Sequence, residues 1–362
     1  MRLHVMFVGN KFIYNEVLQE YVLRQITKTC DRPQTISFFQ DGDNTLFLEI
    51  EKQLNDPQQL IIITTKQNFS TIGKLISTAT NDVQVLKEGS LMPQKALVYE
   101  DGSYLIEHGE TLVNVMQVDE GVNIPSILMK SEITNATIHV FDEDRETLIS
   151  LLNPIAQTYE VTFDVTTLIE GWQQVDICSK LYGDISNFIS ASKKLLSNQL
   201  IPSSNVLEYI IETLTAQNKK ITFAESCTGG LLSYYLTKNN GASNILEGSL
   251  ITYSNALKDN WLAVSNDTLE QHGAVSAEVV SEMSDGALAV SHADFAIAVS
   301  GIAGDTGGTE LKPVGTVYIG VRSKTAHVEE HCHFSGDRNF VQNQSALYAI
   351  KMLLLLDKET FF

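Results

Sequence analysis

Small hydroxyl, thiol and glycine residues follow an apolar segment at residues 224–230, which read Ala-Glu-Ser-Cys-Thr-Gly-Gly. Apolar residues then recur at helical spacing from Leu231 onward. This pattern predicts a strand that turns into a helix N-terminus, where backbone N–H groups are free and the helix dipole is positive. Such a turn can place Ser226 beside oxyanion donors, or it can bind a phosphate. By itself, the heptapeptide favours a simpler structure, a Ser/Thr N-cap with glycines in a tight turn.

A lysine in a second segment has the residue type of a general base. Residues 249–253 predict a strand that ends at Tyr253, Asn255 can cap the next helix, and Lys258 lies in its first turn. The helix dipole and partial burial both lower the pKa of a lysine there, so that it can accept a proton. A solvated lysine is the alternative, and the residues alone favour it.

Two further segments could hold a phosphate. A glycine-rich loop at 300–309 follows the apolar strand Phe295–Val299, and open α/β sheets bind ligands at that edge. It lacks the Gly-Lys-Ser/Thr of a Walker loop. Arg338 follows Gly336 and Asp337 and could clamp a phosphate; its alternative is a pair with Asp337 or Asp305.

Other reactive side chains have structural interpretations. His272 precedes Gly273, as at a helix C-cap. Cys227 has no recognisable His or Asn partner, so we interpret it as a small buried neighbour of Ser226. The cysteines, four in the chain, show no CxxC pair, and His331-Cys332-His333 lacks a further ligand at metal-binding spacing. We therefore expect neither a metal nor a cofactor.

The composition indicates a globular protein. The chain has 362 residues, 43% of them hydrophobic, and a net charge of −19. Residues 201–362 contain 10 Lys and Arg against 18 Asp and Glu, so both halves are acidic and no basic patch favours nucleic acid. The apolar run Met352–Leu356 is too short to span a membrane, and the N-terminal residues show no signal-peptide cleavage pattern. We expect a cytoplasmic protein with no nucleic-acid or membrane partner.

Alternating strand-like and helix-like segments predict an α/β protein. We predict a three-layer α/β domain at 1–134, a small α+β domain at 135–199, a linker at 200–205 and an α/β domain at 206–362. In the last domain the predicted strands are Ile221–Ala224, Ser249–Tyr253, Phe295–Val299, Gly315–Val321 and His327–Phe334. The helices predicted between them are Gly230–Thr237, Ala256–Ala263 and Ala277–Ala289.

The C-terminal domain resembles that of the CinA family over essentially all of residues 205–362. The similarity is carried, in order, by segments 224–230, 251–258, 268–276, 299–304, 312–317 and 336–338. That domain is similar to nicotinamide mononucleotide deamidases of the PncC type. The resemblance implies hydrolysis of the nicotinamide amide, which gives nicotinic acid mononucleotide and ammonia.

The resemblance also implies roles for individual residues. Ser226 would attack the amide carbon, and Lys258, helped by Tyr253, would take the serine proton and later protonate the departing ammonia. Backbone N–H groups from Cys227 to Gly229 would stabilise the oxyanion. The substrate-binding candidates are Cys227, Thr228, Gly229, Gly230, Ser300, Gly301 and Arg338.

The N-terminal half departs from the family pattern. CinA proteins carry a molybdenum-cofactor-binding-like domain there, followed by a KH-like domain, and the first resembles an ADP-ribose pyrophosphatase. An acidic residue and a Gly-Gly-Leu-Gly-Pro-Thr loop are typical of it, but this chain has Gly9-Asn10-Lys11 and, at 65–71, a segment without glycine. We therefore expect a structural or dimerising domain, in a homodimer as is usual in the family.

Three functions are open from the sequence. The first is the amidohydrolase. The second is a non-catalytic nucleotide-binding or scaffold protein that retains the old fold. The third is residual ADP-ribose pyrophosphatase activity in the N-terminal domain.

Overall fold

The computed structural model describes residues 2–56, 58–87, 89–119, 121, 123–129, 134–179, 182–304 and 306–362. The chain divides into two compact units, residues 1–134 and 135–362. Helices and strands alternate in both, which confirms the predicted α/β class. Within the described ranges, none of the helices combines the length and the apolar character that a membrane span requires.

The first unit contains a six-stranded sheet in the order β2-β1-β3-β8-β7-β6. Its strands, with the separate β4-β5 hairpin, are β1 Leu3–Val8, β2 Thr35–Phe39, β3 Gln59–Thr64, β4 Gln84–Lys87, β5 Ser90–Pro93, β6 Val98–Glu100, β7 Ser103–His108 and β8 Thr111–Gln117. Its helices are α1 Asn10–Tyr14, α2 Glu16–Thr29, α3 Leu46–Leu54 and α4 Lys66–Ala79.

Helices cover both faces of this sheet, so the unit has three layers. Residues of α1 and α2 pack with Val5 and Phe7 of β1, whereas α3 and α4 pack with Met6 and Val8 on the other face. All six residues of β1 are buried, as expected of a strand enclosed on both faces.

The second unit begins with a four-stranded sheet in the order β10-β11-β9-β12. Its elements are β9 Thr134–Phe141, α5 Arg145–Thr158, β10 Thr162–Ile169, β11 Trp172–Ser179, α6 Ile185–Leu195 and β12 Leu200–Ile201. Strand β12 occupies residues 200 and 201, where the sequence predicts the start of a linker at 200–205. Leu200 and Ile201 are buried and pair with β9 because both are apolar and extend that sheet. The division into domains at 199 and 206 stays a prediction.

A five-stranded sheet in the order β14-β13-β15-β16-β17 forms the rest of the unit. Its elements are α7 Val206–Ala216, β13 Ile221–Glu225, α8 Leu231–Thr237, β14 Leu246–Ile251, α9 Asn255–Leu262, α10 Asn266–His272, α11 Ala277–Ser291, β15 Phe295–Gly301, β16 Thr316–Ser323, β17 His327–His333, α12 Arg338–Leu356 and α13 Lys358–Phe361. Strand β13 pairs in parallel with β14 on one side and β15 on the other. The chain therefore reverses its direction across the sheet at β13, and the carboxyl ends of these strands frame a crevice where open α/β sheets bind ligands.

The strand predicted at Ser249–Tyr253 lies earlier in the structure. Strand β14 ends at Ile251, and the Thr252 N–H donates to the carbonyl oxygen of Glu225 at the end of β13. The Ser254 side chain then caps α9. Tyr253 therefore belongs to a connection at the mouth of the crevice, and it is exposed.

Helix α11 packs very closely against its neighbours. A Cβ atom on Gly286 would lie 2.0 Å from the carbonyl oxygen of Leu262, the last residue of α9. A Cβ atom on Gly320 of β16 would lie 2.8 Å from the carbonyl oxygen of Val280 in α11. These glycines allow helix and sheet backbones to touch, which fixes α9 and the side chains that it carries.

The sequence pattern does not predict helix α12, since its local signal is only the apolar run Met352–Leu356. Its apolar residues do not form one stripe, because its C-terminal half is buried on most sides. It packs in a core with α8 and the face of the sheet that carries Phe223 and Val299. Helical periodicity is weak in a helix that is enclosed all round.

We expect Gly286→Ala to destabilise the protein, although alanine normally favours a helix interior. The new Cβ would collide with the Leu262 carbonyl, and overpacking of this kind costs about 1–3 kcal/mol. Thermal unfolding followed by circular dichroism measures the change. Val290→Ala, at an exposed position of the same helix, is the control and should unfold close to wild type. Equal melting temperatures for the two variants would contradict the close packing.

Candidate active site

Ser226 lies in a tight turn at the carboxyl end of β13. Its N–H donates to the carbonyl oxygen of Val299 in β15 (3.0 Å), and its own carbonyl accepts from the N–H of Gly229 (3.1 Å). Gly229 and Gly230 both have positive φ, at 60° and 103°, which glycine adopts without a steric penalty. The turn then enters α8, as the sequence predicts.

Two backbone N–H groups in this turn are free. Within the described part of the chain, the N–H groups of Cys227 and Thr228 have no hydrogen-bond acceptor in another residue. The N–H groups of Gly229 and Gly230 are committed to other acceptors, so these two glycines shape the turn and do not offer donors. Of the three N–H groups predicted as oxyanion donors at 227–229, those of Cys227 and Thr228 thus remain available.

The carboxylate of Glu225 accepts hydrogen bonds from backbone N–H groups at the start of α8. It is fully buried and accepts from the N–H groups of Gly230 (2.9 Å), Leu232 (3.1 Å) and Ser233 (3.2 Å). The hydroxyls of Ser233 and Ser249 donate to it as well, at 3.0 and 3.1 Å. A carboxylate at a helix N-terminus is stabilised by the unpaired N–H groups and by the dipole. Glu225 therefore fixes the turn that carries the next residue, Ser226.

Lys258 of α9 is buried beside Ser226. Its side chain is 1% exposed, and its Nζ donates to Ser226 Oγ (3.1 Å) and to the Thr252 carbonyl oxygen (2.7 Å). Burial lowers the pKa of Lys258 from its ordinary value, because a charged ammonium is poorly solvated there. The structure brings the two predicted residues together, and it excludes the solvated lysine that the sequence left open.

Tyr253 and Arg338 meet at the exposed side of the crevice. Arg338 Nη2 donates to Tyr253 Oη at 2.7 Å, and within the described ranges Tyr253 makes no hydrogen bond to Lys258. Arg338 also lies against Gly304, where a Cβ atom would be 2.6 Å from its Nη1. The Asp337 side chain caps α12 by accepting from the Phe340 N–H, so it is not the partner of Arg338.

Asp305, the other acid considered for Arg338, lies outside the described residues. Arg338 is exposed, and its hydrogen bond to Tyr253 uses one of the five N–H donors of a guanidinium. It is therefore accessible to an anionic group at the mouth of the crevice.

Ser300 and Gly301 have structural roles in addition to their predicted one. The buried Ser300 hydroxyl donates to the Ala274 carbonyl oxygen at 2.6 Å. A Cβ atom on Gly301 would lie 2.7 Å from Val317 Cγ2 in β16. These contacts explain both residue types without a ligand, and their part in substrate binding stays a prediction.

The other side chains considered as reactive are held in structural positions. The Cys227 thiol is buried, which raises its pKa to about 12 and disfavours the thiolate that a nucleophile needs. His272 ends α10 with Gly273 as its C-cap. In the described part of the chain, no group of three or more His, Cys, Asp and Glu residues could hold a metal ion.

At the corresponding edge of the N-terminal sheet, polar groups pair with one another around Asp41. Asn68 Nδ2 donates to Asp41 Oδ1 (2.6 Å), and the Asn10 N–H donates to Asp41 Oδ2 (3.1 Å). Helix α4 begins at Lys66, directly after β3, where the resemblance implies a glycine-rich loop. No loop at 65–71 is present to approach a phosphate.

Two residues at the site were missed by sequence reasoning. Glu225 lies in the heptapeptide at 224–230, but a carboxylate that binds the helix after it has no distinctive spacing. Gln342 of α12 donates from Nε2 to the Cys227 carbonyl oxygen at 2.7 Å. It lies 115 positions along the chain from Cys227, so only the fold could reveal the contact.

Comparison with known proteins identifies relatives of this part of the chain. Residues 203–356 match the family model "CinA C-terminal domain". A "CinA-like protein" from Thermotoga maritima is 43% identical over 146 residues, which is 40% of this chain and 36% of that protein. The match thus spans little more than a third of the length of such curated relatives.

A shorter relative is matched almost throughout. "Nicotinamide-nucleotide amidohydrolase PncC" from Escherichia coli is 43% identical over 148 residues, which is 40% of this chain and 89% of that protein. A solved structure, the competence/damage inducible protein CihA from Agrobacterium tumefaciens, is 34% identical; the alignment covers 42% of this chain and 96% of that chain with a TM-score of 0.41.

We expect Glu225→Gln to destabilise the protein by about 2–4 kcal/mol, because it places an NH₂ donor among donors and removes a charge that several N–H groups bind. Urea unfolding followed by circular dichroism gives the change. Glu247→Gln is the control, since this more exposed carboxylate makes an ion pair with Lys220. Its loss should change the free energy of unfolding by about 0.5 kcal/mol or less. If both variants unfold alike, the Glu225 network does not hold the turn.

Proposed function

This chain belongs to the CinA family, and we propose that its C-terminal domain is a nicotinamide-nucleotide amidohydrolase that uses Ser226 and Lys258. The substrate would be nicotinamide mononucleotide, and the products nicotinic acid mononucleotide and ammonia. The name of the Escherichia coli relative supports an enzymatic role for this domain. The generic names of the Thermotoga relatives are compatible with it.

The hydrogen bond between the buried Lys258 Nζ and Ser226 Oγ carries the proposal. A serine hydroxyl is a weak nucleophile until a base accepts its proton, and the base must lie within hydrogen-bond reach. A neutral amine with a lowered pKa can be that base near neutral pH, whereas an exposed ammonium cannot. The contact therefore has the geometry that activation of Ser226 requires.

The proposed reaction proceeds through an acyl-enzyme. Ser226 Oγ bonds to the amide carbon while Lys258 takes its proton, and the N–H groups of Cys227 and Thr228 donate to the oxyanion. The C–N bond then breaks, and the ammonium of Lys258 protonates the departing nitrogen. Water, deprotonated by Lys258, attacks the ester, and Ser226 recovers its proton as the carboxylate leaves.

Arg338 is proposed to hold the phosphate of the nucleotide at the mouth of the crevice. A guanidinium binds phosphate through two parallel N–H donors, and Arg338 is exposed beside Tyr253. Tyr253 would then position Arg338 and does not need to touch Lys258. Ser300 and Gly301 would line the same crevice.

The remaining expectations from the sequence stay predictions. These are the homodimer, the cytoplasmic location, and the binding-module and pyrophosphatase alternatives. A folded protein that binds the nucleotide without turnover would favour the binding module. Hydrolysis of ADP-ribose that is lost with EDTA would favour activity in the N-terminal domain.

We expect the purified protein to release ammonia from nicotinamide mononucleotide with and without EDTA. Ser226→Ala removes the nucleophile, and Lys258→Met removes the base while the apolar stem still fills its buried site. Both should lower kcat by at least about 100-fold, the lower range for a positioned acid or base. Lys193→Met, an exposed lysine of α6, is the control and should keep full activity. Full turnover by either site variant would refute the assigned pair.

We expect kcat/KM to rise with pH, since only the neutral form of Lys258 can accept the serine proton. Burial lowers the pKa of Lys258, so the midpoint of the rise should lie below ~10.4, the value for an exposed lysine. The measurement is kcat/KM for the same substrate across the pH range in which the protein stays folded. The rise should persist in Tyr253→Phe, because Tyr253 bonds Arg338. A profile that falls over this range would contradict Lys258 as the base.

A further inference from the structure

Gln342 reaches the nucleophile turn from helix α12. Its Nε2 donates to the carbonyl oxygen of Cys227 at 2.7 Å. Arg338, which bonds Tyr253, lies four residues earlier, so both side chains belong to one face of the helix. This face of α12 lines the turn that carries Ser226.

The carbonyl that Gln342 binds belongs to the central peptide of a β-turn. The turn runs from Ser226 to Gly229 and is closed by the bond from the Gly229 N–H to the Ser226 carbonyl. Its central peptide joins Cys227 to Thr228. Rotation of this peptide by about 180° interconverts turns of type I and type II while the closing hydrogen bond is kept. The central peptide is therefore the part of the turn that the closing bond leaves free to reorient.

The orientation of this peptide decides what the turn presents to a ligand. In a trans peptide the C=O and N–H groups point in opposite directions. Because the Cys227 carbonyl points to Gln342, the Thr228 N–H points away from α12, and in the described part of the chain it has no acceptor. A flipped peptide would replace that N–H with a carbonyl oxygen, which repels an oxyanion.

We propose that Gln342 is a positioning residue that holds the Cys227–Thr228 peptide with the Thr228 N–H available to the oxyanion. This inference rests on the proposed amidohydrolase function and adds a residue to its machinery. Thr228 also disfavours the flipped peptide. A type II turn needs positive φ at this position, and a β-branched residue such as threonine resists that conformation. Gln342 supplies the hydrogen bond that selects the orientation directly.

Gln342→Met tests the proposal, because methionine has a similar length but no donor. An oxyanion donor acts in the transition state and not in the ground state, so kcat should fall while KM stays within about twofold. We expect a loss of about fivefold to tenfold, the equivalent of one neutral hydrogen bond. Gln344→Met is the matched control, since residues two apart on a helix point to different sides. It should keep the wild-type kcat.

A fluorophosphonate probe supplies a readout that does not need the nucleotide. It forms a bond from Ser226 Oγ to phosphorus with loss of fluoride, and its phosphoryl oxygen uses the same oxyanion donors. Labelling of Ser226 should slow in Gln342→Met and not in Gln344→Met. A wild type that is labelled but releases no ammonia would refute the proposed substrate, while the labelling rates would still test Gln342.

Other outcomes overturn the inference. These are equal rates in the two methionine variants, a rise in KM with unchanged kcat, or a wild type that neither reacts with the probe nor releases ammonia. Gln342→Glu is a second variant without a donor, for use if Gln342→Met does not fold. An ionised carboxylate keeps the shape of the glutamine side chain but only accepts hydrogen bonds. Melting temperatures report whether each variant is folded. If both Gln342 variants fail to fold, the residue is structural and the inference falls.

Discussion

A lysine amine removed from water is the constraint around which the C-terminal domain is arranged. A buried ammonium is costly, so Lys258 must find acceptors or lose its proton, and the structure offers it only Ser226 Oγ and the Thr252 carbonyl oxygen among the described residues. Neither acceptor carries a charge. Burial lowers the pKa of Lys258, and under the proposed function the neutral amine is the form that accepts the serine proton.

The position of this lysine depends on close packing behind it. Helix α9 ends at Leu262, whose carbonyl would collide with any side chain larger than hydrogen at position 286 of α11. In turn, α11 touches the backbone of β16 at Gly320. These rigid contacts between backbones leave α9 little freedom to move. A fixed helix is needed to keep Lys258 Nζ within 3.1 Å of Ser226 Oγ.

The serine is held by polar contacts from several sides. Glu225 binds the N–H groups at the start of α8, Val299 binds the Ser226 N–H, and Gln342 binds the next carbonyl in the turn. With so many of its polar groups paired, the free N–H groups of Cys227 and Thr228 are exceptions. The buried Thr228 hydroxyl also has no partner among the described residues. Unpaired donors in a turn are typical of an oxyanion or phosphate site.

The sequence singled out Ser226 and Lys258 through the resemblance to the CinA family, and by itself it determined the α/β class and most strands and helices. Local patterns encode these features, since strands, caps and glycine turns depend on neighbours within a few residues. Tertiary structure alone decided that Lys258 is buried against Ser226, that Tyr253 bonds Arg338, and that Gln342 binds the Cys227 carbonyl. The physical reason is that a pKa, a free N–H and a peptide orientation depend on burial and on partners 32 to 115 positions away, which no local pattern records.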